Sequence, residues 1–158
     1  MTLKPKIIII YESYHHNNTE KVAHILAQGL QSDLHKPSQV KPSQLLDYDV
    51  IGIGTGIYFG KPHHKINSFL DKLPVLNGKK SFLFTTSGNT NTKYIQGVVQ
   101  EIIFKMEEKG LKIIDSFSIR GWNTFGPFRL IGGINRGHPD LKDLYNTELF
   151  ANKLLNEL

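Results

Sequence analysis

Hydrophobic positions fall into short unbroken runs, separated by longer segments in which they recur every three or four residues. Three runs, Lys6 to Tyr11, Val50 to Gly54 and Ser81 to Thr86, are bounded by turn residues and read as strands buried on both faces. A fourth, Leu111 to Ile119, is β-branched and partly alternating. Helical spacing covers Asn18 to Leu30, Pro62 to Leu73, Thr92 to Lys109 and a terminal stretch from about Asp140 to Leu158. Between the first helix and Val50, Gln31 to Leu46 is polar and carries Pro37 and Pro42. Val40 is expected at the centre of a short edge strand there, because an edge tolerates proline.

Strand and helix thus alternate, and each right-handed crossover places its helix on one face of a parallel sheet. The expected fold class is α/β, a three-layer, doubly wound, five-stranded parallel sheet in the order 2-1-3-4-5. At 158 residues, one domain spanning 1–158 accounts for the whole pattern. In such a sheet ligands bind beyond the carboxyl ends of the strands, where strand order reverses. The loops after strands one, three and four become the places to look for chemistry.

Composition narrows the choices. Without cysteine the chain has no disulfide, thiolate nucleophile or zinc–thiolate site. The apolar run Ile7 to Tyr11 is too short for a secretory leader or a membrane span, so a cytoplasmic location is expected. A formal charge of +5 favours anionic ligands and acidic partners. The basic residues are scattered without the aromatic interleaving of a nucleic-acid surface, so no nucleic-acid partner is expected.

After strand one, Ser13-Tyr14-His15-His16-Asn17-Asn18-Thr19 leads into a helix opened by Asn18 or Thr19. A helix start offers unpaired N–H groups and the positive end of the dipole to a phosphate. Ser13, Asn18, Thr19 and His15 or His16 add donors; a plain N-cap explains Asn and Thr equally well. After strand three, Thr55-Gly56-Ile57-Tyr58-Phe59-Gly60 brackets two aromatics with glycines, either to stack on a flat heterocycle or to close a tight loop. Thr86-Ser87-Gly88-Asn89 ends strand four, and such residues are also common connectors.

Beyond strand five, Arg120 to Pro139 is rich in glycine and aromatics without a clear element. Loops of that length are usually functional. An ordered flap is expected, with Trp122 and Phe125 near the ligand and Arg129 and Arg136 available to an anionic partner. Aromatics that merely complete the core are the alternative. The pairs His15-His16 and His63-His64 follow adjacent strands and raise a competing metal site. Without an accompanying acid cluster, His63-His64 reads instead as the first turn of a solvated helix, and no metal is expected.

Three loops at three strand ends carry a family likeness. Ser13, Asn18 and Thr19 match the S-x-T-G-N-T phosphate loop of flavodoxins, with one extra residue and Asn17 in place of the usual glycine. Tyr58-Phe59-Gly60 resembles the loop flanking the isoalloxazine, and Thr85 to Asn89 resembles the third loop without its customary tyrosine. The variant with His15-His16, together with the stretch from Gly121 to Pro139, is similar to small flavodoxin-like proteins rather than to the acidic electron carriers.

The resemblance implies FMN as cofactor, held by Ser13, His15, His16, Asn17, Asn18, Thr19, Thr55, Gly56, Ile57, Tyr58, Phe59, Gly60, Thr86, Ser87, Gly88, Asn89, Trp122 and Phe125. It implies electron or hydride transfer to a redox partner protein or a small-molecule electron acceptor, with no catalytic side chain required. An electron carrier, an FMN-dependent quinone or protoporphyrinogen oxidoreductase, and a non-enzymatic sensor all remain open. Lys61 and the positive charge are expected to raise the potential above that of acidic flavodoxins.

Overall fold

The computed structural model describes residues 3–14, 16–88, 92–122, 124 and 126–158. Strands β1 (Ile7–Glu12), β2 (Asp33–His35), β3 (Val50–Tyr58), β4 (Lys61–Pro62), β5 (Lys80–Ser87) and β6 (Lys112–Arg120) interleave with helices α1 (Asn18–Leu30), α2 (His64–Asp71), α3 (Thr92–Glu108) and α4 (Leu141–Glu157). The sheet runs β2-β1-β3-β5-β6, all parallel, with β4 paired antiparallel to β3. Counting only the parallel strands in chain order, this is the expected 2-1-3-4-5.

The period of two in a strand divides the isoleucines of β1 between two cores. Ile8 and Ile10 pack with Ile66, Phe69 and Leu70 of α2 and Ile95, Val99 and Ile102 of α3. Ile7 and Ile9 pack with Val22 and Leu26 of α1 and Phe150 and Leu154 of α4. On that second face β3 contributes Gly52 and Gly54, paired in register with Phe82 and Phe84. A Cβ at either glycine would collide with the neighbouring phenylalanine ring, so the missing side chains are the space the rings occupy.

Two expectations are corrected. The edge strand is Asp33–His35, and Val40 only closes a 3-10 turn, Pro37–Gln39. The tetrapeptide Lys-Pro-Ser-Gln occurs at 36–39 and again at 41–44, and each copy winds into a 3-10 turn. Proline opens the turn, and Gln39 or Gln44 reaches back to the N–H of Lys36 or Lys41, at 2.7 and 2.8 Å. This local capping outcompetes pairing with β1. The second helix starts later than Pro62, because Phe59 and Gly60 turn the chain back to form β4 with φ of 48° and 71°.

Candidate functional site

At the carboxyl end of the sheet, Asn18, Gly56, Ile57, Tyr58, Thr86, Ser87, Gly88 and Trp122 line one cleft. Four chain segments meet there: the start of α1, the end of β3, the end of β5 and the segment after β6.

The first segment enters α1 through two left-handed residues, His16 and Asn17, at φ 53° and 54°. Asn17 therefore takes the conformation a glycine would favour. It also occupies the N-cap position, but its side chain caps nothing. The first-turn amides of α1 thus lack a side-chain acceptor from their cap. On the loop leading into α1, the Ser13 hydroxyl is buried with no hydrogen-bond partner among the described residues, as is Asn18 Oδ1. Asn18 Nδ2 donates to the Trp122 carbonyl at 2.9 Å. Thr19 turns inward, its hydroxyl 2.8 Å from that of Thr86, locking α1 to β5.

In the second segment Tyr58 folds back over Gly56, where a Cβ would strike the phenol. The Tyr14 N–H donates to the Tyr58 oxygen at 3.3 Å, and the two rings meet edge to face. Thr55 does not line the cleft: its hydroxyl donates to the Gly56 carbonyl and accepts from the His63 N–H, fastening the β3 end to α2. Phe59 stands 76% exposed at the turn. In the third segment, Thr86 and Ser87 are buried, and the Gly88 carbonyl accepts from Asn135 Nδ2 at 2.9 Å.

Trp122 closes the fourth side. Its ring stacks on His16 with centroids 3.8 Å apart, and the Arg136 guanidinium lies 5.9 Å from its centroid. Trp122 Nε1 donates to the Gly132 carbonyl at 3.1 Å, its N–H donates to His138 O at 2.9 Å, and His16 Nε2 lies 2.8 Å from Thr124 Oγ1. These bonds order the described part of the flap against the cleft. His15, Asn89 and Phe125 lie outside the described residues.

Charge is kept out of the cleft lining. Glu12, buried at the end of β1, is ion-paired with Lys65 at 3.4 Å and Lys36 at 3.9 Å. Burial, reinforced by donation to Glu20, pushes the Tyr11 phenol up to about 12 and keeps it protonated.

The histidine pairs diverge. His63, expected in solvent, is 7% exposed and caps α2, its Nδ1 accepting from the Lys65 N–H at 3.1 Å. Its neutral ring therefore carries the proton on Nε2, and burial pulls its pKa below the usual value. It stacks on the exposed His64 and abuts Tyr14 and Tyr58, whereas His16 faces Trp122. Among the described residues one ligand-like cluster, His138, Asp140 and Asp143, lies at the start of α4. Its carboxylates cap the helix, and His138 Nδ1 pairs with Asp143 at 2.5 Å.

Sequence reasoning missed Tyr14, Gly121 and Asn135. Gly121 lies directly beneath the Asn18 amide, which leaves no room for a Cβ. Asn135, at φ 54°, had a left-handed-tolerant residue as its only signal.

Fold and cleft together define a doubly wound α/β protein with a cleft at the switch point of the sheet. A family model for the flavodoxin domain matches residues 8–118, and the chain belongs to that family. An uncharacterised protein of Methanocaldococcus jannaschii is 41% identical over 150 residues, covering 95% of this chain and 98% of the relative. Oxidised flavodoxin 1 of Bacillus cereus superposes with a TM-score of 0.74 at 19% identity, over 97% of this chain and 99% of that one. General stress protein 14 of Treponema denticola, solved in complex with FMN, gives 0.66 at 12% identity over 97% and 99%. No helix among the described residues is long and apolar enough to cross a membrane.

Proposed function

We propose that the cleft holds one FMN and that the protein transfers electrons or hydride through it. The observation that carries this reading is the Ser13 hydroxyl, buried without a hydrogen-bond partner among the described residues, on the loop leading into a helix whose N-cap side chain makes no capping bond. A phosphate supplies the acceptor oxygens this arrangement lacks. The residues present fit the group: Ser13 and the first-turn amides of α1 would hold the phosphate, Tyr58 and Trp122 would wall the ring, and the Thr86–Gly88 backbone would meet its polar edge. When bound, FMN supplies the redox chemistry. The protein binds it, orients it and excludes water and charge around it. Family membership and the FMN complex of the Treponema denticola neighbour support the same reading.

Within it, a carrier of electrons between proteins is the leading role. An oxidoreductase acting on a quinone or protoporphyrinogen draws on a separate observation: the sequence from Thr85 to Asn89 has no aromatic residue to cover a ring, which favours access by a second substrate. The test is purification followed by absorbance and FMN quantification, then reductive titration and a screen of quinones and nicotinamides. A yellow protein with about one FMN per chain is expected; a colourless protein that takes up no added FMN refutes the proposal. Two-electron titration with turnover of a small acceptor would assign the oxidoreductase.

A further inference from the structure

Arg120, Arg129 and Arg136 are the chain's three arginines; the first ends β6 and the other two lie in the segment that follows it. No acid occurs between Asp115 and Asp140. Inside this acid-free stretch, Gly126–Ile131 winds as a 3-10 turn on which Leu130 is 90% and Ile131 is 73% exposed. Gly132 and Gly133, at φ 80° and 90°, reverse the chain immediately afterwards. The Gly133 N–H closes the loop by donating to Phe128 O at 2.6 Å. Two adjacent aliphatic side chains therefore stand exposed on a closed loop, with Arg129 next to them in the chain and Phe128 partly in solvent.

Single exposed apolar residues need no explanation, but an adjacent pair at this exposure inside the only arginine-bearing segment is a patterned surface. Arginine rather than lysine suits phosphate, which its planar fork binds with two parallel hydrogen bonds. An exposed apolar pair inside an acid-free, arginine-bearing stretch is complementary to a surface that is apolar below and anionic above. We propose that this loop docks the protein on an anionic lipid surface. Leu130 and Ile131 enter the boundary between headgroups and acyl chains, and Arg129 beside them engages lipid phosphates.

The loop is tied to the cleft through Trp122, whose indole holds the Gly132 carbonyl and whose ring lines the site. The inference does not rest on flavin binding, which absorbance reads separately.

Co-sedimentation of the full chain with phosphatidylcholine vesicles, with and without phosphatidylglycerol, tests it. Binding is expected on the anionic vesicles, weak on phosphatidylcholine alone, and reduced by salt. Leu130→Ser combined with Ile131→Ser should lower partitioning by at least about tenfold, and Arg129→Gln by about fivefold. Melting temperature and bound flavin should stay unchanged in both. Absence of binding to anionic vesicles overturns the proposal, as does binding that both variants retain. A wild-type dimer dissociated by the serine substitutions would assign the surface to a second copy of the chain. Salt-sensitive binding to polyglutamate that ignores Leu130 and Ile131 would assign it to an acidic protein.

Discussion

Ser13 and Thr19 bring the same hydroxyl chemistry to one loop, yet the structure gives one a partner and leaves the other buried without any among the described residues. A buried polar group left unpaired costs about 1–3 kcal/mol. Ser13→Ala should therefore leave the apoprotein as stable as the wild type or slightly more so, while weakening FMN binding about tenfold. Thr19→Val should do the reverse, destabilising the apoprotein by about 1–2 kcal/mol because it strands the Thr86 hydroxyl. Urea denaturation and flavin-fluorescence titration separate the two. His63 makes a pH prediction. Burial lowers its pKa from 6.5, so below that value the unfolded chain takes up a proton that the folded ring resists. Stability should be complete above about pH 6.5 and decline as pH falls towards the depressed folded value. His63→Asn keeps an acceptor for the Lys65 N–H and removes the titration. Melting curves across this range should show a flatter acid limb for the variant, and an identical limb would exclude the assignment.

The elements hold together by complementary absences as much as by contacts. In β3 the sequence Ile-Gly-Ile-Gly places isoleucine towards α2 and α3 and empty space towards Phe82 and Phe84. Gly54→Ala forces a methyl group into the Phe84 ring and should destabilise the protein by about 1–3 kcal/mol. Combining it with Phe84→Leu should cost less than the two single changes summed, since the smaller side chain yields the space. Chemical denaturation of the four proteins measures that coupling; strict additivity would mean the two positions do not share a cavity. The same logic governs loops. Gly56 admits the Tyr58 phenol and Gly121 admits the Asn18 amide, so each glycine lets a side chain from its own or a distant segment settle at the cleft.

For the molecule as a whole, the formal charge of +5 sets the surroundings of a cleft whose lining holds no charged side chain among the described residues. Lys61 stands exposed on β4, close in sequence to Tyr58. Lys61→Glu should make the potential of bound flavin more negative by tens of millivolts, on the order expected for a screened surface charge, and salt should shrink the shift. Spectroelectrochemistry at two ionic strengths checks both; an unchanged potential would place Lys61 outside the electrostatic reach of the ring. The sequence by itself determined the alternation of strands and helices, the sheet order and the strand ends at which Asn18, Gly56, Tyr58, Ser87 and Trp122 gather. These follow from local periodicity and from the handedness of crossovers, which act on any chain of this pattern. It misplaced the edge strand at Val40, because two Lys-Pro-Ser-Gln turns satisfy their own backbone locally and no apolar period distinguishes them. It put His63 in solvent, whereas packing against Tyr14 and Tyr58 buries it. Only the tertiary structure decided which loop hydroxyls are already spent, Thr19 on Thr86 and Thr55 on the His63 amide, and which, that of Ser13, is buried without a partner among the described residues. Such pairings join residues far apart in the chain, and no spacing within a single segment encodes them.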